Sequence, residues 1–84
     1  MLGFKNDEVI VFSKNFCSQC RMVKNFLTKH EINFTEINIE EDENSKYVEI
    51  LKNEGIRQLP VTLINGKIIL GFAPNLLGKE IKEM

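Results

Sequence analysis

The dipeptide Asn65-Gly66 lies between the apolar runs Leu59-Pro60-Val61-Thr62-Leu63-Ile64 and Lys67-Ile68-Ile69-Leu70, and it does most to limit the folds open to this chain. Asn and Gly both tolerate positive φ, which a type I′ turn requires at its two central positions. The two runs are therefore expected to pair as antiparallel strands. Upstream, Val9-Ile10-Val11-Phe12 is a short, continuous apolar stretch with polar flanks, the pattern of a strand buried on both faces. Met22, Val23, Phe26 and Leu27 recur at helical spacing among polar residues, which predicts a helix from about Ser18 to His30.

Phe34, Ile37 and Ile39 mark a second strand. Asp42 to Ser45 offer caps for a helix carrying Tyr47, Val48, Ile50 and Leu51, and Gly55 is placed to end it. Pro74-Asn75 reads as the start of a last helix, with Asn75 as its cap and Leu77, Ile81 and Met84 facing inward. The order is βαβαββα. A strand-helix-strand crossover sets the first two strands parallel, and the hairpin adds an antiparallel pair. The expected fold class is thus α/β, a four-stranded mixed sheet with helices on both faces. A chain of 84 residues, 43% apolar and 27% charged, supports one small core, so residues 1–84 read as one domain.

A formal net charge of −1 gives no general attraction to nucleic acid or to an anionic membrane. The expected partner is a protein or a small thiol, met by a monomer. Met1 to Glu8 lack the apolar centre of a leader peptide, and no apolar run approaches the ~20 residues of a membrane span. The cytoplasm is the expected compartment. The acidic run Glu40-Glu41-Asp42-Glu43 reads as a solvated helix entrance, and His30 as a residue at a helix end. Met1, Met22 and Met84 read as start, core and tail packing.

The only two cysteines, Cys17 and Cys20, fall where the first strand passes into the first helix. A disulfide between them closes too short a loop to stabilise a fold through chain entropy. A reducing compartment disfavours a permanent bridge, which leaves redox cycling or metal binding. A closed zinc site needs four ligands, and this chain has neither a second C-x-x-C nor a spaced His pair, so metal binding would require sharing between chains. The redox reading needs no cofactor beyond the Cys17-Cys20 disulfide itself. Cys17, at the helix N-terminus with Lys14 and Arg21 nearby, is the expected nucleophile, because unpaired amides and positive charge favour its thiolate. Cys20, one turn further in, is the expected resolving thiol. On their own, Phe16 reads as a core or rim aromatic, Pro60 as an edge-strand proline, and Lys14, Arg57 and Gln58 as solvated polar residues.

Taken together, Phe16-Cys17-Ser18-Gln19-Cys20, Gln58-Leu59-Pro60-Val61 and Gly71-Phe72-Ala73-Pro74 resemble motifs of the glutaredoxins of the thioredoxin superfamily, and most of all the NrdH-type redoxins. The resemblance covers nearly the whole chain. It implies a thioredoxin-like fold and a thiol–disulfide oxidoreductase that carries electrons from thioredoxin reductase to protein disulfides, ribonucleotide reductase among them. It also implies a cis Pro60 facing the cysteines, a Leu59 backbone that pairs with a substrate strand, and substrate contacts from Lys14, Phe16, Gln58, Gly71 and Phe72. Lys14 and Arg57 fall where glutathione-using glutaredoxins hold the tripeptide's carboxylates, so glutathione is the alternative reductant. Against that alternative, Phe72 replaces a second glycine, and Ala73-Pro74-Asn75 stands where an acidic residue grips the glutathione amine. Ile69-Leu70 in turn replaces the Trp-Ser pair common among the NrdH-type proteins.

Overall fold

A computed structural model describes residues 8–84. The readings placed on Met1 to Asp7, including the absence of a leader and the role of Met1, lie outside these residues. The elements are β1 (Ile10–Ser13), α1 (Ser18–Lys29), β2 (Thr35–Asn38), a 3-10 turn (Asp42–Asn44), α2 (Ser45–Asn53), β3 (Val61–Ile64), β4 (Lys67–Leu70) and α3 (Pro74–Lys82). They form one sheet in the order β2-β1-β3-β4. β1 runs parallel to β2 and antiparallel to β3, and β3 pairs antiparallel with β4.

The continuous apolar run becomes an inner strand because both of its faces are covered. Val9 and Val11 pack with Ile64, Ile69, Val23, Leu27 and Leu77, which puts α1 and α3 on one face. Ile10 and Phe12 pack with Ile37, Val61, Leu63 and Leu51, which puts α2 on the other. Met22 departs from the expected core: it flanks the buried stripe of Val23 and Leu27 and is 46% exposed. Met84 does not face inward either and is exposed at the chain end.

Two expected caps do not form. Ala73 occupies the N-cap of α3 and Pro74 opens its first turn, where fixed φ suits a helix and the missing N–H removes no bond. Asn75 lies inside the helix and caps nothing. At α2 the N-cap is Asn44, whose Nδ2 donates to the Asn38 carbonyl at 2.9 Å instead of serving the helix. The β2 strand is shorter than its apolar residues imply, with Phe34 and Ile39 just outside it.

The two helix ends show what positive φ demands. Gly55, at φ 75°, closes α2 through Ile56 N–H to Leu51 O at 2.9 Å and Gly55 N–H to Lys52 O at 3.0 Å. α1 ends in the same motif, with Ile32 N–H to Leu27 O at 2.9 Å and Glu31 N–H to Thr28 O at 3.0 Å. There the left-handed residue is Glu31, at φ 60°. His30 is the C-cap of α1, and its ring lies 4.5 Å from that of Phe26. Glu31→Gly is expected to stabilise the fold by about 0.5–1 kcal/mol, read as a higher urea midpoint at constant slope.

The hairpin turn adopts the predicted geometry, with Asn65 at φ 53° and Gly66 at φ 75°. Asn65 has a second task, because its Nδ2 donates to the backbone carbonyl of Glu80 at 2.9 Å and to Glu80 Oε1 at 3.0 Å. Lys67 Nζ reaches Glu80 Oε2 at 3.2 Å and Glu83 Oε2 at 3.7 Å, so the turn is tied to α3. The Asn65 amide, together with the Lys67 ammonium, holds the Glu80 carboxyl below its ordinary value of 4.5. A depressed carboxylate stabilises the fold above its unfolded value, and that contribution disappears as pH falls through the lower folded one. The stability difference between the protein and Glu80→Gln is therefore expected to persist from neutrality down to about pH 4.5 and to shrink below it, as urea midpoints across that range will read out.

Candidate active site

Strand order gathers motifs that are far apart in the chain. Phe12 near the end of β1 faces Val61 at the start of β3, and Val61 also faces Leu70 at the end of β4. The segments after β1, before β3 and after β4 therefore meet at one end of the sheet. Gly71 N–H donates to the Pro60 carbonyl at 2.8 Å, joining two of them. The Leu59-Pro60 peptide is cis and Pro60 is buried. The edge-strand reading of Pro60 does not hold, because β3 is an inner strand. Pro60 sits just before that strand, where its missing N–H takes nothing from the ladder.

Cys17 is the N-cap of α1, in extended backbone, and its Sγ accepts from the Cys20 N–H at 3.2 Å. Its carbonyl accepts from Arg21 N–H at 3.2 Å, closing the first turn. Cys17 and Cys20 are joined as a disulfide, with Cα atoms 5.2 Å apart. Cys17 is partly exposed, whereas Cys20 is only 2% exposed. No acidic residue lies in the first turn of α1, so nothing there offsets the positive end of the helix.

Phe16, beside Cys17, is fully exposed, which removes its reading as a core residue and leaves the rim. Its φ of 54° is a left-handed conformation that an aromatic residue adopts only when its surroundings impose it. A polar clamp missed in the sequence fixes the residue just before it. Asn15 N–H donates to Glu40 Oε1 at 3.0 Å, Asn38 Nδ2 donates to Asn15 Oδ1 at 2.9 Å, and Glu40 N–H donates to Asn38 Oδ1 at 2.9 Å. Glu40 is thus more than a solvated helix entrance. The only signal for it was a pair of asparagines placed just after one strand and at the end of another.

Beneath the cysteine loop, Ser13 Oγ donates to Glu36 Oε2 at 2.6 Å and Lys24 Nζ to the same oxygen at 2.9 Å. The Ser13 hydroxyl and the Lys24 ammonium hold the Glu36 carboxyl below its usual range and tie α1 to β1 and β2. Gly71, at φ 69°, faces the cysteine loop: a Cβ there would lie 3.5 Å from Gln19 Oε1, an ordinary contact, so backbone conformation and not crowding asks for glycine. Phe72 turns inward, its ring 6.1 Å from that of Phe26. Lys14, Arg57 and Gln58 are exposed and Leu59 is half-buried. Neither Lys14 nor Arg57 forms an ion pair among the described residues. No group of three or more His, Cys, Asp or Glu converges on a metal position among them either.

The family model for glutaredoxin matches residues 9–69, which contain both cysteines and Leu59-Pro60. The chain is 46% identical over 71 residues to the glutaredoxin-like protein NrdH of Lactococcus lactis subsp. cremoris, covering 84% of this chain and 96% of that one. Its fold matches the solved NrdH-redoxin of Escherichia coli with a TM-score of 0.78 and 28% identity, over 86% of this chain and 92% of that one. A solved wheat glutaredoxin matches with a TM-score of 0.74 and 32% identity, over 90% and 76% of the two chains. With its cysteine pair at a helix N-terminus and its cis Pro60 at the same end of the sheet, the chain belongs to the glutaredoxin family as a NrdH-like thiol–disulfide oxidoreductase.

Proposed function

We propose that this chain, acting as one monomeric cytoplasmic domain, carries electron pairs from thioredoxin reductase to disulfides of client proteins, with ribonucleotide reductase the first client to test. The observation that carries the reading is the unequal burial of the two sulfurs, with Cys17 reachable at the helix cap and Cys20 enclosed one turn behind it. In the reduced protein the Cys17 thiolate attacks one client sulfur, a mixed disulfide forms, and the other client sulfur leaves as a thiolate that takes up a proton. The Cys20 thiolate then attacks Cys17 Sγ and expels the second client thiolate. Two electrons and two protons pass to the client, and the protein is left with its Cys17-Cys20 disulfide and no further cofactor.

Lys14 and Arg21 favour the attacking thiolate, Phe16 gives the client an apolar contact, and Leu59 pairs with its backbone while Pro60 keeps that segment opposite the cysteines. Gln58 borders the same path, and Gly71 and Phe72 close its far side. The preference for thioredoxin reductase rests on the similarity to NrdH proteins, among them one described as having a thioredoxin-like activity profile. It rests also on Phe72 and Ala73-Pro74-Asn75, which replace the glycine and acidic residue of a glutathione groove.

The test is NADPH consumption with a protein disulfide, run in parallel with thioredoxin reductase and with glutathione plus glutathione reductase. Turnover with thioredoxin reductase is expected. Turnover with glutathione alone overturns the choice of reductant and turns Lys14 and Arg57 into tripeptide contacts. Turnover with neither overturns the carrier reading and returns the C-x-x-C to a metal shared between chains.

A further inference from the structure

Beside the cysteine end of the sheet, α2 and the segment before β3 enclose a groove of about 510 Å³, and beyond Gln58 and Leu59 its lining has no part in the exchange step itself. Ile39, Val48, Leu51, Ile56 and Leu59 supply its apolar walls. Both charged residues among those that line it, Lys52 and Arg57, are cations. Lys52 meets Glu49 only at 4.0 Å across an exposed i,i+3 pair, a contact of little strength, and Arg57 has no ion partner among the described residues. Leu59 belongs both to this groove and to the peptide bond with Pro60, so the groove continues outward from the point where a client strand is proposed to pair.

We propose that this groove receives the stretch of client chain adjoining the client's disulfide, and that this stretch carries an apolar side chain flanked by Asp or Glu. The inference rests on the reading of the chain as a carrier for protein disulfides. An apolar side chain is required because five apolar residues stay wet unless one covers them. Acidic neighbours are required because two cations, Arg57 without an ion partner among the described residues and Lys52 with only its exposed 4.0 Å contact to Glu49, border those walls with no lining carboxylate to satisfy them. An extended client advances about 3.3 Å per residue, so a segment anchored at Leu59 reaches Lys52 within a few residues of its cysteine.

The test uses prereduced protein and three cysteine peptides activated as 2-pyridyl disulfides, with the cysteine flanked by Glu-Leu-Asp, by Glu-Ser-Asp or by Lys-Ser-Lys. The Cys17 thiolate attacks the peptide sulfur, a peptide–protein disulfide forms, and 2-thiopyridone leaves and is read by its absorbance; Cys20 then expels the peptide thiol. Rates are taken relative to a small neutral pyridyl disulfide, 2-hydroxyethyl 2-pyridyl disulfide. The Glu-Leu-Asp peptide is expected to react about tenfold faster than the Lys-Ser-Lys peptide, with a gain that shrinks at high ionic strength. The Glu-Ser-Asp peptide should fall between them. Lys52→Glu should reduce the acidic preference and Lys52→Glu with Arg57→Glu should abolish it, in variants whose thermal midpoints confirm folding. An acidic preference that survives the double reversal, or no preference in the wild type, overturns the groove. A wild type that releases no thiopyridone even from the small disulfide overturns the redox reading as well.

Discussion

Cys17→Ser is expected to abolish reduction of protein disulfides, with NADPH consumption falling to the rate seen without the protein. A serine hydroxyl at the same N-cap still accepts the Cys20 amide, so α1 keeps its start and the loss is chemical, not structural. Cys20 cannot substitute, because at 2% exposure its sulfur does not reach a client. Cys20→Ser separates the two halves of the reaction. Attack by Cys17 still proceeds, but nothing resolves the product, so a covalent adduct with the client accumulates and runs as a heavier band without reductant. A Cys20→Ser protein that cycles freely against a protein disulfide contradicts the dithiol mechanism, whereas a glutathione-driven route survives the change. The two variants together therefore report on both the order of the sulfurs and the identity of the reductant.

The largest expected loss of stability comes from Phe12→Ala, at about 3–5 kcal/mol. Phe12 is fully buried on the α2 face of the sheet, packed with Val61 and Leu63, and its ring centroid lies 5.7 Å from that of Tyr47. Because β1 is an inner strand with a helix on either side, the space left behind has no loop that can move to fill it. A domain of this size has roughly 4–13 kcal/mol of total stability, so this one change removes from about a quarter of it to all of it. The expected readout is a urea midpoint displaced toward zero. A loss below about 1 kcal/mol would mean that the α2 face collapses around the gap and that the sheet is not the rigid platform assumed for the cysteine loop.

The elements most legible in the sequence are those set by short-range chemistry. Asn65-Gly66 specified its own turn, the Val9 to Phe12 run declared two covered faces, and the helical spacing of Met22, Val23, Phe26 and Leu27 marked out α1. The helix starts were less legible, because several polar residues near a boundary compete for one cap: Pro74 preceded Asn75 with a fixed φ, and Asn44 was drawn away to the Asn38 carbonyl. Glu31 was hidden for a related reason, since nothing in a glutamate announces left-handed backbone, while Gly55 in the same motif does. At the site, the cysteines were plain from their spacing. The clamp of Asn15, Asn38 and Glu40 was not, because two of its three bonds join residues more than twenty positions apart that only the parallel pairing of β1 with β2 brings together. Pro60 was read against the wrong strand position on local grounds alone, since whether β3 is an edge depends on the order of the whole sheet.

The Cys17 sulfur proposed to meet the client is also the acceptor that starts α1, through the Cys20 amide. A thiolate is a charged acceptor, and hydrogen bonds to charged groups are roughly twice as strong as neutral ones. Once that sulfur is bonded to a client it is neutral and a weak acceptor. In the proposed cycle each passage therefore loosens and then retightens the first turn of the helix. Solvent exchange of the Cys20 amide hydrogen is thus expected to follow the state of the sulfur, slowest when the thiolate is free and faster once that sulfur is bonded to a client or to Cys20.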